Sequence, residues 1–114
     1  MSYCEFLADR VRQSLSGTGN VLEKKMMGGL IFMVNDKMCI GVDTDRKTEE
    51  DRLMIRLGKE VYHAVLERPG CRVMDFTGKE MKGFVFVYGE GFDSDEDLDF
   101  WIKKGLEFNQ KLKD

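Results

Sequence analysis

The sequence predicts an α+β fold, a two-layer α/β sandwich in which an antiparallel sheet of about five strands carries helices packed on one face. Three observations predict it. Helical spacing opens the chain at Leu7, Val11 and Leu15 and closes it at Leu98, Trp101, Ile102, Gly105, Phe108 and Leu112. Short apolar or alternating segments fill the interval between them. Those segments follow one another across turns and do not alternate regularly with crossover helices, so the order reads α-β-β-β-(β)-α-β-(β)-α and an antiparallel sheet is expected.

The first element, about Ser2 to Leu15, is a short helix whose wet side is Glu5, Asp9, Arg12 and Gln13. Ser16-Gly17-Thr18-Gly19-Asn20 stops it, because Gly and Asn accept the left-handed conformations that end helices. Val21–Met27 is the first strand, Gly28-Gly29 breaks or bulges it, and Leu30–Val34 is the second. Asn35-Asp36 is a two-residue hairpin turn, since both residues tolerate positive φ. The returning arm, Lys37 to Asp43, puts Met38, Ile40 and Val42 on one face and the small Cys39 and Gly41 on the other, where a helix or backbone can approach closely.

Asp43 to Asp51 is a polar loop. Arg52–Leu57 alternates Leu53, Ile55 and Leu57 against Arg52, Met54 and Arg56, the pattern of a half-buried strand. Lys59 to Glu67 is a short helix with Val61, Tyr62, Val65 and Leu66 on its apolar stripe, ended by Pro69-Gly70. Cys71–Phe76 reads as a strand or an ordered loop between turn signals at Thr77-Gly78 and Lys82-Gly83. Phe84–Tyr88 is a strand by its aromatic and β-branched content, and Gly89-Glu90-Gly91 breaks it. Ser94 caps the last helix with Asp97 three residues on; Asp95 and Glu96 suit its positive end, and Lys103, Lys104, Lys111 and Lys113 its negative end.

A chain of 114 residues with one proline and no linker-like stretch is expected to form one domain, 1–114. The net charge is −3, made of +1 over residues 1–42 and −4 over residues 43–114. Neither part is the basic footprint of a protein that neutralises many phosphates, so nucleic acid is not the expected partner of this domain alone. The three cysteines are odd in number and scattered, which points to free thiols in a reducing compartment. No secretory signal is visible at the start, and the longest apolar run, Leu30 to Val34, is far short of the ~20 residues of a membrane span. The expectation is a cytoplasmic protein with no membrane contact.

No cofactor, metal or catalytic constellation emerges. His63, the single histidine, sits at the edge of a helical stripe with no serine or cysteine in nucleophile context, and reads as a structural or surface residue. Calcium loops begun at Asp43 or Asp93 put Thr48 or Leu98 at the turn that requires glycine, and Met54 or Lys104 where a bidentate glutamate belongs. Gly17-Thr18-Gly19 and Gly89-Glu90-Gly91 lack the remaining residues of a dinucleotide fingerprint or a P-loop. Three sets of residues stand as candidates. Arg56, His63 and Arg72 are anion anchors for a pocket between sheet and helix, and Lys79, Lys82 and Arg72 form a local basic group. Phe6, Phe92 and Phe100 lie off the main apolar stripes; they form an interaction patch if exposed together, unless covering loops bury each of them. Met33 and Met38, among eight methionines, either fill a core or offer an adaptable binding face.

The run Met26-Met27-Gly28-Gly29 through Val42 resembles the opening of the TfoX N-terminal domain family, with Met27 where the family has an aromatic residue. Arg68-Pro69-Gly70-Cys71-Arg72-Val73-Met74-Asp75-Phe76-Thr77-Gly78 through Val85 is similar to a second signature of its small members, and the Trp101 helix to its closing helix. The resemblance, from Val21 to Leu112, implies a two-layer domain with an antiparallel sheet. It implies a stand-alone domain without the C-terminal domain that full-length competence regulators carry. The family has no assigned catalytic residues, so none is carried over. The expected function is a non-catalytic interaction or regulatory module, acting through a protein partner or as a homodimer. The alternatives are a small-molecule-binding protein or minor enzyme, and a weak nucleic-acid-associated regulator.

Overall fold

The computed structural model describes residues 3–26, 28–74 and 82–112. Helix α1 (Glu5–Ser14) leads into strands β1 (Val21–Met26), β2 (Gly29–Val34), β3 (Lys37–Thr44) and β4 (Asp51–Arg56). Helix α2 (Lys59–Val65), strands β5 (Cys71–Val73) and β6 (Phe84–Tyr88), and helices α3 (Gly89–Phe92) and α4 (Asp95–Lys111) complete the order. The six strands form one sheet in the order β1-β2-β3-β4-β6-β5, every neighbouring pair antiparallel. Both strands left optional by the sequence are present. Ser2, Met27, Asp75 and Phe76, the Thr77-Gly78 turn, Lys79 and Lys113 lie outside the described residues.

The helices all pack on one face, as expected. Leu7, Ala8 and Val11 of α1, Tyr62 and Val65 of α2, Phe92 of α3 and Leu98, Trp101 and Ile102 of α4 share a core with the inward side chains of the sheet, among them Phe32, Ile40, Leu53, Ile55 and Val85. Ser94 caps α4 by accepting a hydrogen bond from the Asp97 amide at 3.1 Å. The opposite face holds a second apolar cluster of Ile31, Met54, Met74 and Phe86, with Met33, Met38, Phe84 and Tyr88 packed half-buried against it.

The hairpin turn forms at Asn35 and Asp36, with φ of 53° and 67° at the two residues. It is tied to α4 by a residue that the apolar spacing passes over. Asn109, only 2% exposed, donates from Nδ2 to the Val34 carbonyl at 2.9 Å, and its Oδ1 accepts from Asn35 Nδ2 at 3.2 Å.

One expectation is corrected. The strict alternation proposed for Lys37 to Asp43 fails because the β2–β3 register passes from Phe32↔Ile40 to Met33↔Met38, which leaves Cys39 as the extra residue of a bulge. Met38 therefore joins the helix-free face, while Cys39 sits with Ile40 and Val42 in the helix-side core. Helix α4 does approach closely there, at Gly105, where an added Cβ would stand 3.3 Å from Cys39 Sγ. Gly41 faces the other way, against Met54 and Ile31.

Gly89-Glu90-Gly91 ends β6 at Tyr88, as expected, and winds directly from it into the helical turn α3. Two features hold that turn. The Trp101 indole donates to the Gly91 carbonyl at 2.9 Å inside the core, and a Cβ on Gly91 would lie 2.6 Å from the Pro69 carbonyl oxygen, so the turn packs on backbone.

Candidate functional site

The helix-free face of the sheet gathers the residues with chemistry. Alternation on β4 sends Arg52, Met54 and Arg56 to this face, and antiparallel pairing sets them beside Tyr88, Phe86 and Phe84. Arg72 on the edge strand β5 pairs with Phe86 and joins the same face. The three arginines have different fates.

Arg52 is consumed by structure. Its guanidinium lies 3.7 Å from the Phe86 ring centroid and donates to both carboxylate oxygens of Asp43, at 2.8 and 3.1 Å. Its third contact is to the Tyr88 hydroxyl at 3.0 Å, and that hydroxyl donates to Asp45 Oδ2 at 2.7 Å. The Tyr88 bond holds the Asp45 carboxyl below its usual range, and burial, with Asp45 beside it, holds the Tyr88 hydroxyl above its own. Only 14% of the Arg52 side chain and 9% of that of Asp43 meet solvent. The acidic loop read for calcium thus spends Asp43 and Asp45 on this network, and Asp51 accepts from the Thr44 hydroxyl at 3.1 Å.

Arg56 is open. It has no carboxylate within ion-pair distance among the described residues, and its guanidinium stands 5.6 Å from the ring centroids of both Phe84 and Phe108. These three side chains line a cleft of about 370 Å³ together with Lys59, Glu60, Lys82, Gly58 and Gly83. Arg72 is exposed, 5.0 Å from the Tyr88 ring centroid. His63 is exposed on α2, edge-on to Tyr62 at 5.1 Å between centroids, and does not line the cleft. Of the three anchors proposed together, the structure puts one in a pocket. It joins Arg56 with Lys59 and Lys82, a grouping hidden in the sequence because Gly58 and Gly83 come together only when Leu57 and Gly58 both donate to the Gly83 carbonyl, at 2.9 and 3.0 Å.

The three phenylalanines share no patch. Phe92 is 7% exposed in the helix-side core, and Phe100 is half-buried beneath Arg68, whose guanidinium stands 3.7 Å from its ring centroid. Phe6 alone is open, at 74%. The open apolar surface is on the sheet, where Leu22, which the sequence does not single out, joins Met33 and Met38. Leu22, 51% exposed on β1, pairs with Met33, and Met33 pairs with Met38, so the three form a shelf across β1, β2 and β3 on the helix-free face. Its signal in the sequence is a leucine on the same side as Lys24 in the strand Val21–Met26, against the grain of a core-facing pattern.

Burial pushes the Cys39 thiol up to about 12 and the Cys71 thiol up to about 11, which leaves both protonated at neutral pH. Among the described residues no three His, Cys, Asp or Glu side chains group as metal ligands, and no helix is long and apolar enough to cross a membrane.

The fold is similar to that of a protein from Pseudomonas syringae solved by crystallography as a structural genomics target, with a TM-score of 0.59 at 11% identity over 86% of this chain and 93% of that one. No curated protein matches the chain in sequence. The family model of the TfoX N-terminal domain matches residues 13–109, and the chain belongs to that family.

Proposed function

We propose that this chain is a non-catalytic regulatory module that docks a protein partner on the Leu22–Met33–Met38 shelf. The shelf is the observation that carries the reading. It is apolar, it is built from flexible methionines that adapt to a partner, and no described helix covers it. Family membership supports a regulatory role of the kind linked to competence.

The surroundings of the shelf favour one occupant. Lys24 lies on the same face two residues from Leu22, with Lys25 beside it on the free edge of β1, and neither has an ion-pair partner among the described residues. Lysines on an edge strand oppose pairing with a second identical edge. They suit a partner segment that carries apolar side chains next to carboxylates. The buried, protonated thiols and the exposed His63 support the non-catalytic part of the reading.

The test immobilises the chain and its Leu22→Glu variant in parallel, exposes both to native lysate, and follows each alone by light scattering. The reading expects a monomer that retains a discrete protein through an acidic-apolar segment, and loss of that protein by the variant. A protein held equally by both forms, or a dimer that Leu22→Glu dissociates, contradicts it.

A further inference from the structure

We propose that the cleft around Arg56 is a binding site for a small organic anion with a flat apolar body, of the aryl carboxylate class. The site stands apart from the docking shelf and does not depend on it.

One cation of the cleft has no ion-pair partner among the described residues. Arg52 and Arg56 lie two residues apart on β4, on the same face. Arg52 is matched by the buried Asp43 carboxylate, whereas Arg56 is half-buried with no carboxylate in reach among the described residues. A partly desolvated guanidinium without a counter-charge is costly, and an incoming carboxylate removes that cost through two parallel N–H···O bonds. Lys59 and Lys82 stand exposed at the rim and have no ion-pair partner among the described residues. Glu60, the one acidic group lining the cleft among the described residues, is held by Lys111 at 2.9 Å. The charge of the described lining residues is therefore positive in a chain whose net charge is −3.

The walls select the rest of the ligand. Phe84 and Phe108 flank the guanidinium at equal distance, so a flat ring stacks against an aromatic face while its carboxylate meets Arg56. A bare phosphate would use the cations and leave both rings idle. The volume, about 370 Å³, falls in the range of small-molecule sites, roughly 300–1,000 Å³. The cleft is also preformed. Two amides clamp the Gly83 carbonyl, and Gly58, at φ 88°, leaves room for the Phe108 ring, which a Cβ there would approach to 2.5 Å.

The experiment is an amide-resolved NMR titration of the intact chain with benzoate, with neutral benzamide, and with inorganic phosphate. Benzoate is expected to saturate and to move the amides of Gly58, Lys59 and Gly83, with benzamide at least about tenfold weaker. Arg56→Gln is expected to weaken benzoate about tenfold and Lys82→Gln about threefold, while Leu22→Glu leaves it unchanged. Equal affinity for acid and amide, or shifts centred on Leu22 and Met33, overturns the proposal. So does phosphate binding as tight as benzoate, or unchanged binding by a folded Arg56→Gln. If Arg56→Gln does not fold, the Lys82→Gln variant and the acid–amide comparison decide, because Lys82 is exposed.

Discussion

Replacing Asn109 by aspartate changes one polar group and almost no volume, at a position only 2% exposed. The amide that donates to the Val34 carbonyl at 2.9 Å becomes a carboxylate oxygen, so two acceptors face each other and Asn35 Nδ2 is the one remaining donor. Loss of the hydrogen bond costs about 1 kcal/mol, and burying a carboxylate with no cation beside it adds roughly 2–3 kcal/mol, for a deficit of about 3–4 kcal/mol at neutral pH. A charge penalty of ~2–3 kcal/mol corresponds to a native pKa raised about two units above the unfolded value of ~3.9. The sign follows. Well below about pH 4 both states carry the neutral acid and the deficit shrinks to about 1 kcal/mol; at about pH 4, where the unfolded carboxyl is half ionised, it is still small, and it grows as pH rises toward about 6 and is complete above that. Urea unfolding at about pH 4 and pH 7.5, each referred to wild type at the same pH, measures it. Asn109→Ala serves as the control, with a pH-independent cost of about 2 kcal/mol. A deficit for Asn109→Asp under about 1 kcal/mol at neutral pH, or one that does not change with pH, would refute the tie between α4 and the hairpin.

Three further outcomes follow from the packing. Gly105→Ala gains up to about 1 kcal/mol of helix propensity but presses on Cys39 Sγ at 3.3 Å, so the gain is expected in full only in a Cys39→Ala background. Equal effects in both backgrounds, read by urea midpoints, would show that the contact is not tight. Arg52→Met leaves the Asp43 carboxylate buried without its partner and is expected to cost about 3 kcal/mol, most of it recovered by adding Asp43→Asn. Only the half-buried Cys4 should react readily with a thiol reagent in the native state, because Cys39 and Cys71 are buried with pKa values raised to about 12 and 11. The same two shifts make stability complete below the unfolded thiol pKa, about 8.5, and let it fall as pH rises toward about 11–12; rapid labelling of all three thiols would contradict this.

Much of the fold is legible in the sequence because its local signals agree with the tertiary arrangement. The hairpin forms where Asn35 and Asp36 permit positive φ, and α4 starts where Ser94 caps it. What stays hidden depends on partners distant in the chain. The bulge at Cys39 moves Met38 to the opposite face, and neither residue type announces it, since the register is set by pairing with β2. Asn109 reads as one more polar residue of an amphipathic helix until the Val34 carbonyl stands opposite. The site divides the same way. Arg56 is recognisable as an arginine on a strand, whereas its lack of a carboxylate among the described residues is legible only after Arg52 has taken Asp43 and Lys82 has come alongside through Gly83. Phe92 and Phe100 show the converse: off-stripe spacing leaves open whether a ring is exposed, and here Phe92 enters the helix-side core while Phe100 lies beneath Arg68.

The docking shelf is the central claim, and a photo-crosslinking side chain placed at Leu22 tests it most directly, with the same group at His63 as the comparison. Both positions are exposed, and they lie on opposite sides of the sheet, Leu22 on the helix-free face and His63 on α2. Irradiation in native lysate is expected to give one discrete protein adduct from position 22 and none of it from position 63. The same adduct from both positions, or none from Leu22, would contradict the account.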